Sequence, residues 1–286
     1  MPSDLTLSLA GWSAGDGPRP PVDAAGCEWT LQSFGGWFDG AEVRAAPVNP
    51  ADGRDGVIDG RFSFGGRTIT VAGYCHCPDR ASRVQAMRAL GGLLAGPVRR
   101  ETLTVAESVT GVSLQAVVRL LGPTVSVPAG LGGFSWSLSL FAPDPVKYGT
   151  TLRQVSSPRA TPGGDFVVPA VVPFVFGPAG GSGWLSATNG GTADVWPVVR
   201  FTGPLADPQI RVVGGAALGA VIELAAGEEL VVDMQARTVL LGSSTRRASL
   251  TFESEWFSLP PGQTELLFTA AGGAGTCTVQ WRDGWA

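Results

Sequence analysis

Ala142-Pro143-Asp144-Pro145-Val146-Lys147-Tyr148-Gly149 divides the chain into two halves of different character. Before it runs Gly133-Phe134-Ser135-Trp136-Ser137-Leu138-Ser139-Leu140-Phe141, whose apolar and polar residues alternate as on a strand with one buried face. After it comes a segment punctuated by proline and glycine, and then a series of short β-like runs. The stretch itself cannot continue a helix. Its prolines lack an N–H, and each proline pushes the residue before it out of helical geometry. It reads as a rigid elbow between two β-rich domains, residues 1–149 and 150–286. Asp144 and Pro145 supply the restricted dipeptide, and Tyr148 anchors the turn with a packed ring and a bonded hydroxyl.

The bulk composition agrees with a β-rich chain. In 286 residues there are 41 glycines and 22 prolines, which favours short strands joined by tight turns. A hydrophobic content of 44% against 15% charge is enough for a sizeable core. The net charge of −4 and pI near 5.1 argue against stable nucleic-acid binding, which needs a basic face. No apolar run is long enough to cross a membrane, and Met1-Pro2-Ser3-Asp4-Leu5 does not resemble a signal peptide.

In the first half, Leu5–Leu9 and Trp29–Phe38 read as strands. Gly60 to Val71 reads as a hairpin, two alternating runs around Gly65-Gly66. One helix is expected, capped by Asp79 or Ser82, with Val84, Met87, Leu90, Leu93 and Leu94 as its apolar stripe and Gly96-Pro97 as its stop. Strands then follow at Glu101–Ala106, Val112–Leu121 and Phe134–Phe141, giving an α+β domain whose lone helix covers a sheet face. In the second half, Pro-rich edge strands lead into runs between Trp196 and Trp281, including a hairpin of Leu230–Asp233 with Thr238–Leu241 and a strand at Ala248–Phe252. Short strands without an intervening helix indicate a β-sandwich or jelly roll.

The candidates for chemistry are weak. Cys75-His76-Cys77 gathers three soft ligands around the only histidine, but zinc ligands usually come as wider-spaced pairs. Together with Cys27 and Cys277 these cysteines read as packed thiols, and neither a metal nor a cofactor is expected. Asp52, Asp55 and Asp59 lack the alternate spacing of a calcium loop. Glu253 and Glu255 would share one face of a strand, as a glycosidase pair can, but such neighbours usually form a solvated face. Ala271-Gly272-Gly273-Ala274-Gly275 precedes a strand and so does not make a phosphate loop. No catalytic centre is expected.

Four blocks carry a family resemblance. They are Asp144 to Tyr148; Asn189-Gly190-Gly191-Thr192 through Trp196-Pro197 to Gly203-Pro204; Gly227 to Asp233, leading to Arg246-Arg247; and Trp256 to Phe268, closing on Val279 to Trp285. In order and spacing they resemble the distal tail (Dit) family of long-tailed phages, closely in the second half and more loosely in the first. The resemblance implies an N-terminal belt domain that assembles into a homo-hexameric ring, and a C-terminal galectin-like sandwich. It implies a virion location at the distal end of the tail, after synthesis in the host cytoplasm. The ring would join the tail tube protein to the tail-associated baseplate hub protein, and its channel would pass tape measure and DNA. Gly53, Gly56, Gly65 and Gly66 are the candidate ring contacts, since loops and hairpin arms can reach across subunits. The alternative is a module recognising host cell-wall polysaccharide through Trp184, Trp196, Trp256, Trp281 and Trp285.

Overall fold

Strand alternation builds the first unit around a closed barrel. The computed structural model describes residues 4–45, 55, 62–96, 99–130, 132–159 and 183–286. The chain divides into two units, Met1–Thr150 and Thr151–Trp285. The first contains β1 (Leu5–Leu9), β2 (Trp12–Gly15), β3 (Glu28–Gly35), β4 (Val43–Ala45), β5 (Phe62–Phe64), β6 (Arg67–His76), α1 (Arg80–Gly92), β7 (Glu101–Glu107), β8 (Val112–Leu120), β9 (Val125–Ala129), β10 (Gly133–Ala142) and β11 (Lys147–Gly149). Seven strands bond in the order β8-β7-β1-β2-β3-β6-β10, and β10 returns to β8 through Leu140↔Leu120 and Phe141↔Arg119. The expected sheet is thus closed on itself, which removes its free edges. Beyond the ring, β9 pairs the first half of β10, and β11 pairs β8.

Every second residue of the barrel strands points inward: Leu5, Leu7 and Leu9, then Ile69 and Val71, then Leu103 and Val105, then Leu138 and Leu140. One part of the core is aromatic. Trp12 stands edge-on to Trp136 at 5.0 Å and to Trp29 at 5.6 Å, and Phe134 meets Trp29 at 5.5 Å. Gly73 makes room for this cluster. A Cβ there would lie 2.0 Å from the Thr30 carbonyl oxygen and 2.6 Å from the Trp136 ring. Gly73→Ala is therefore expected to cost the first unit about 3 kcal/mol, the upper end for overpacking. Urea unfolding followed by tryptophan fluorescence measures it.

The hairpin expected at Gly65-Gly66 does not form. β5 pairs β4, while both edges of β6 are taken by β3 and β10. Neither glycine has a positive φ, which the tight turn would need. Instead a Cβ at Gly66 would strike the Phe141 ring at 2.4 Å, so this glycine permits close approach to β10. The helix lies where its periodicity puts it. Asp79 caps it by accepting from the Ser82 amide at 2.8 Å. Its buried residues are Ala86 and Leu90, with Val84 exposed; the helix ends at Gly92, so Leu93 and Leu94 of the expected stripe are buried in the turn that follows it. Pro97 lies outside the described residues.

The second unit contains β12 (Arg153–Pro158), β13 (Trp184–Asn189), β14 (Val198–Thr202), β15 (Leu205–Ala206), β16 (Gln209–Val212), β17 (Ala217–Gly219), β18 (Glu223–Leu224), β19 (Glu229–Asp233), β20 (Thr238–Leu241), β21 (Ser244–Thr245), β22 (Gly262–Thr269), β23 (Gly272–Gly273) and β24 (Thr276–Trp281). A six-stranded sheet, β12-β24-β14-β19-β20-β21, and a four-stranded one, β13-β22-β16-β17, form a sandwich, and β18-β15-β23 make a small third sheet. Phe201 of the first sheet meets Phe268 of the second at 5.8 Å, both buried. The β19–β20 hairpin is present with Val232 opposite Val239. The Pro-bearing strand β12 sits at a sheet edge. The expected strand at Ala248–Phe252 is absent: a 3₁₀ turn at Arg247–Ser249 leads into irregular chain. The Ser254 hydroxyl accepts from the Gly219 amide and donates to the Gly219 carbonyl, tying this segment to β17 without a ladder. Among the described residues no helix is long and apolar enough to cross a membrane.

Candidate functional site

The joint stretch is bolted into the first unit by two buried cations. Arg67 opens β6 on the same inward face as Ile69 and Val71, and is 4% exposed. Its guanidinium donates to four carbonyls: to Gly36 (3.1 Å) and Trp37 (3.3 Å), to Asp39, and to Pro145 through both Nε (3.3 Å) and Nη2 (3.2 Å). Lys147 is 6% exposed and donates through Nζ to the same Trp37 carbonyl at 3.0 Å, its charge 5.9 Å above the Trp37 ring. Asp144 closes the stretch locally. Its Oδ1 accepts from the Val146 amide at 3.0 Å and its Oδ2 from the Tyr148 hydroxyl at 2.8 Å. Asp144, Pro145 and Tyr148 are thus parts of one fixed turn within the first unit.

Two cations on one carbonyl leave an electrostatic mark. Burial, and then the neighbouring Arg67 charge, lower Lys147 from the ordinary 10.5 to about 8, against weaker support from Glu107 and Asp39. Burial also lowers Arg67, opposed by Asp39. Between pH 8 and 10.5 the unfolded chain holds the Lys147 proton and the folded chain does not. Stability therefore rises with pH across that window as far as Lys147 is concerned. Below pH 8 the buried charge costs up to about 3 kcal/mol. Lys147→Met is expected to be the more stable protein at pH 7, with the advantage shrinking towards zero by pH 10.5. Trp37 keeps Arg67 as a donor in that variant. Thiols and tyrosines titrate in both proteins and cancel in the difference, which denaturant midpoints at each pH report.

The candidate contact glycines separate. Gly53 and Gly56 lie outside the described residues. Gly65 is buried and donates its amide to the Glu42 carbonyl at 2.8 Å, rooting the β4–β5 arm. The surface the arm presents is that of Val43 and Phe64, both half exposed or more.

Three of the four cysteines converge. Trp29↔Cys75 pairing brings the residue before β3 to the end of β6, so Cys27 joins Cys75 and Cys77. Their sulfurs lie within 4.8 Å of one another, Cys75 and Cys77 at 3.6 Å, and all three residues are buried. Burial pushes the Cys27 thiol up to about 12 and raises Cys75 as well, and in the other unit burial raises Cys277. His76, the residue between, is exposed.

In the second unit the blocks that carried the resemblance meet in space. Arg200 on β14 donates to Glu229 on β19 at 2.9 Å and to Gln280 on β24 at 3.0 Å, linking three of them across the sheet. Asn189, 1% exposed, donates to the carbonyls of Ala193 (2.8 Å) and Leu259 (3.1 Å), and accepts from the amides of Gly191 (3.1 Å) and Gly284 (3.3 Å). A Cβ at Gly191 would sit 1.8 Å from the Gly284 carbonyl oxygen. Asp283 beside this knot pairs with Arg153 at 2.7 Å. Of the candidate tryptophans, Trp281 is buried, Trp256 lies under Arg247, Trp285 is half-buried, and Trp184 and Trp196 are exposed, Trp184 beside Arg211 and Leu267 at a shallow cleft. Glu253 and Glu255 stand in irregular chain and share no strand face.

Residues 190–285, within the second unit, match the family model of the siphovirus-type tail component, C-terminal domain. The full chain is similar in fold to phage SPP1 Dit, described as a paradigm of hub adsorption apparatus in Gram-positive infecting phages. The likeness has a TM-score of 0.66 at 15% identity and covers 99% of each chain. A baseplate structure of phage P2 in its activated conformation also matches, at TM-score 0.49, 10% identity and 97% of each chain. No curated protein matches the sequence. The family model falls on residues 190–285, which hold three of the four blocks apart from Asn189, and the likeness in fold extends over the whole chain.

Proposed function

We propose that this chain is a distal tail protein: a non-enzymatic virion component that forms a homo-hexameric ring at the tail tip. The ring joins the tail tube to the baseplate hub protein and leaves a channel for tape measure and DNA. The observation that carries this is the tail-component domain in residues 190–285 within a chain whose whole length follows the SPP1 Dit fold. The first unit supplies the means of assembly. Its barrel is closed, and among the described residues β9 and the β4–β5 arm present free edges. Both carry exposed apolar residues, Val125 and Val127 on β9 and Val43 and Phe64 on the arm. An exposed strand edge and an apolar arm on one chain suit the head-to-tail contacts of a closed ring. The acidic balance suits a channel that must release DNA.

Electron microscopy of the particle with antibody to this chain tests the reading, with label expected at the tail tip; particles whose tips lack the protein would sink it. Replacing Val127 by Asp on the β9 edge is expected to abolish the oligomer in light scattering while circular dichroism stays unchanged. A ring that survives this change places the contact elsewhere.

A further inference from the structure

We infer that Cys27, Cys75 and Cys77 form a three-thiolate site for a soft, thiophilic cation of the zinc class. The sulfurs come from two chain segments that are far apart in sequence and are brought together by the β3–β6 register. All lie within 4.8 Å of one another, and one edge of the triangle measures 3.6 Å. Zinc–sulfur bonds of about 2.3 Å put ligand sulfurs about 3.8 Å apart around a tetrahedral ion. Less than about 1 Å of movement therefore closes the triangle onto an ion, by the same bond length. The 3.6 Å contact is far longer than a disulfide bond of about 2.05 Å, so the three sulfurs stand as separate ligands.

The positions of the sulfurs are fixed by groups outside the triangle. The Asp23 carboxylate accepts from the amides of Ala25 (2.8 Å) and Cys27 (2.9 Å) and from Trp29 Nε1 (3.0 Å), holding the turn that carries Cys27. The Cys77 amide donates to the Gly132 carbonyl at 2.7 Å. Such outer partners orient metal ligands. The residues flanking Cys27, Gly26 and Glu28, are exposed, so the site lies one residue beneath the surface and an ion reaches it by displacing a single turn. Cys277 supplies the contrast: it is buried alone in the second unit, as a cysteine that only packs would be. Among the described residues no further Cys, His, Asp or Glu completes the group, which leaves a fourth position to water. Soft sulfur donors select zinc, its heavier congener cadmium, or copper(I) over hard cations. A bound ion would cross-link the Asp23–Cys27 turn to the end of β6 at one mouth of the barrel.

The test uses the full chain, purified with a thiol reductant and without chelator. Mass spectrometry of the metal content is expected to find one zinc-class ion per chain. Anaerobic titration of the stripped chain with cadmium is expected to saturate at one equivalent, with thiolate-to-metal charge-transfer absorption. Cys27→Ser should weaken cadmium binding at least tenfold, and Cys277→Ala should leave it unchanged, circular dichroism confirming that both fold. If Cys27→Ser fails to fold, alkylation of the wild-type chain with and without cadmium gives the same answer, with cadmium expected to slow the reaction of Cys27, Cys75 and Cys77 and to leave that of buried Cys277 unchanged. Absence of metal together with no saturable cadmium uptake overturns the inference. So does uptake indifferent to Cys27, or a native mass two hydrogens light from a disulfide within the trio.

Discussion

Arg67→Met is expected to lower the stability of the first unit by up to about 3 kcal/mol, because three part-buried carbonyls lose their donor at about 1 kcal/mol each. Those are the carbonyls of Gly36, Asp39 and Pro145, while that of Trp37 keeps Lys147. Loss of one buried charge offsets part of this by relieving Lys147, whose proton affinity Arg67 depresses. Arg67→Lys separates the two contributions. A lysine restores the charge but not the planar fork, and one ammonium cannot span the carbonyls on either side of the guanidinium. Arg67→Lys should therefore recover less than half of the loss. The measurement is denaturant unfolding of the full chain, read through tryptophan fluorescence dominated by the aromatic cluster of the barrel. Full recovery by lysine would show that charge, and not geometry, holds the joint stretch.

The signal for Arg67 is present in the sequence. It shares the period-two phase of Ile69, Val71 and Cys75, so a strand that buries those side chains buries the guanidinium as well. What conceals it is Gly65-Gly66, whose pairing reads as a turn and makes the strand before it look like the partner of the strand after it. A glycine pair serves close approach as readily as a turn, and only the distant Phe141 ring decides which. The helix was legible because its cap and stripe are local, Asp79 to Leu94. The sandwich was legible because each short strand carries its own alternation. Barrel closure was not, since it depends on Leu140 meeting Leu120 and Phe141 meeting Arg119, a pairing that local pattern does not encode. Cys27 escaped for the same reason: spacing shows Cys75 beside Cys77, and only the Trp29↔Cys75 register adds the third sulfur. Glu253 and Glu255 would share a face only on a strand, whereas the chain there is irregular, tied to β17 through the amides of Thr251 and Glu255 and the Ser254 hydroxyl.

Asn189→Ala is expected to cost the second unit about 3 kcal/mol, and its logic parallels that of Arg67. The amide of Asn189 bonds three backbone groups: the N–H groups of Gly191 and Gly284 and the carbonyl of Ala193. Each is left without this partner on truncation, at about 1 kcal/mol or more apiece. The Leu259 carbonyl suffers least, because the Val195 amide still donates to it at 3.0 Å. Asn189→Asp is the informative companion. It keeps the acceptor for both glycine amides but loses the donor to Ala193 and Leu259, and places a carboxylate beside Asp283, so it should be no better than alanine near neutral pH and should improve as the pH falls far enough to protonate it. The unfolding transition of the second unit in the full chain measures both variants. An Asn189→Ala protein that unfolds with the wild type would show that the Gly284 carbonyl, which accepts from the amides of Thr192 (2.7 Å) and Ala193 (3.0 Å), holds the knot without the side chain.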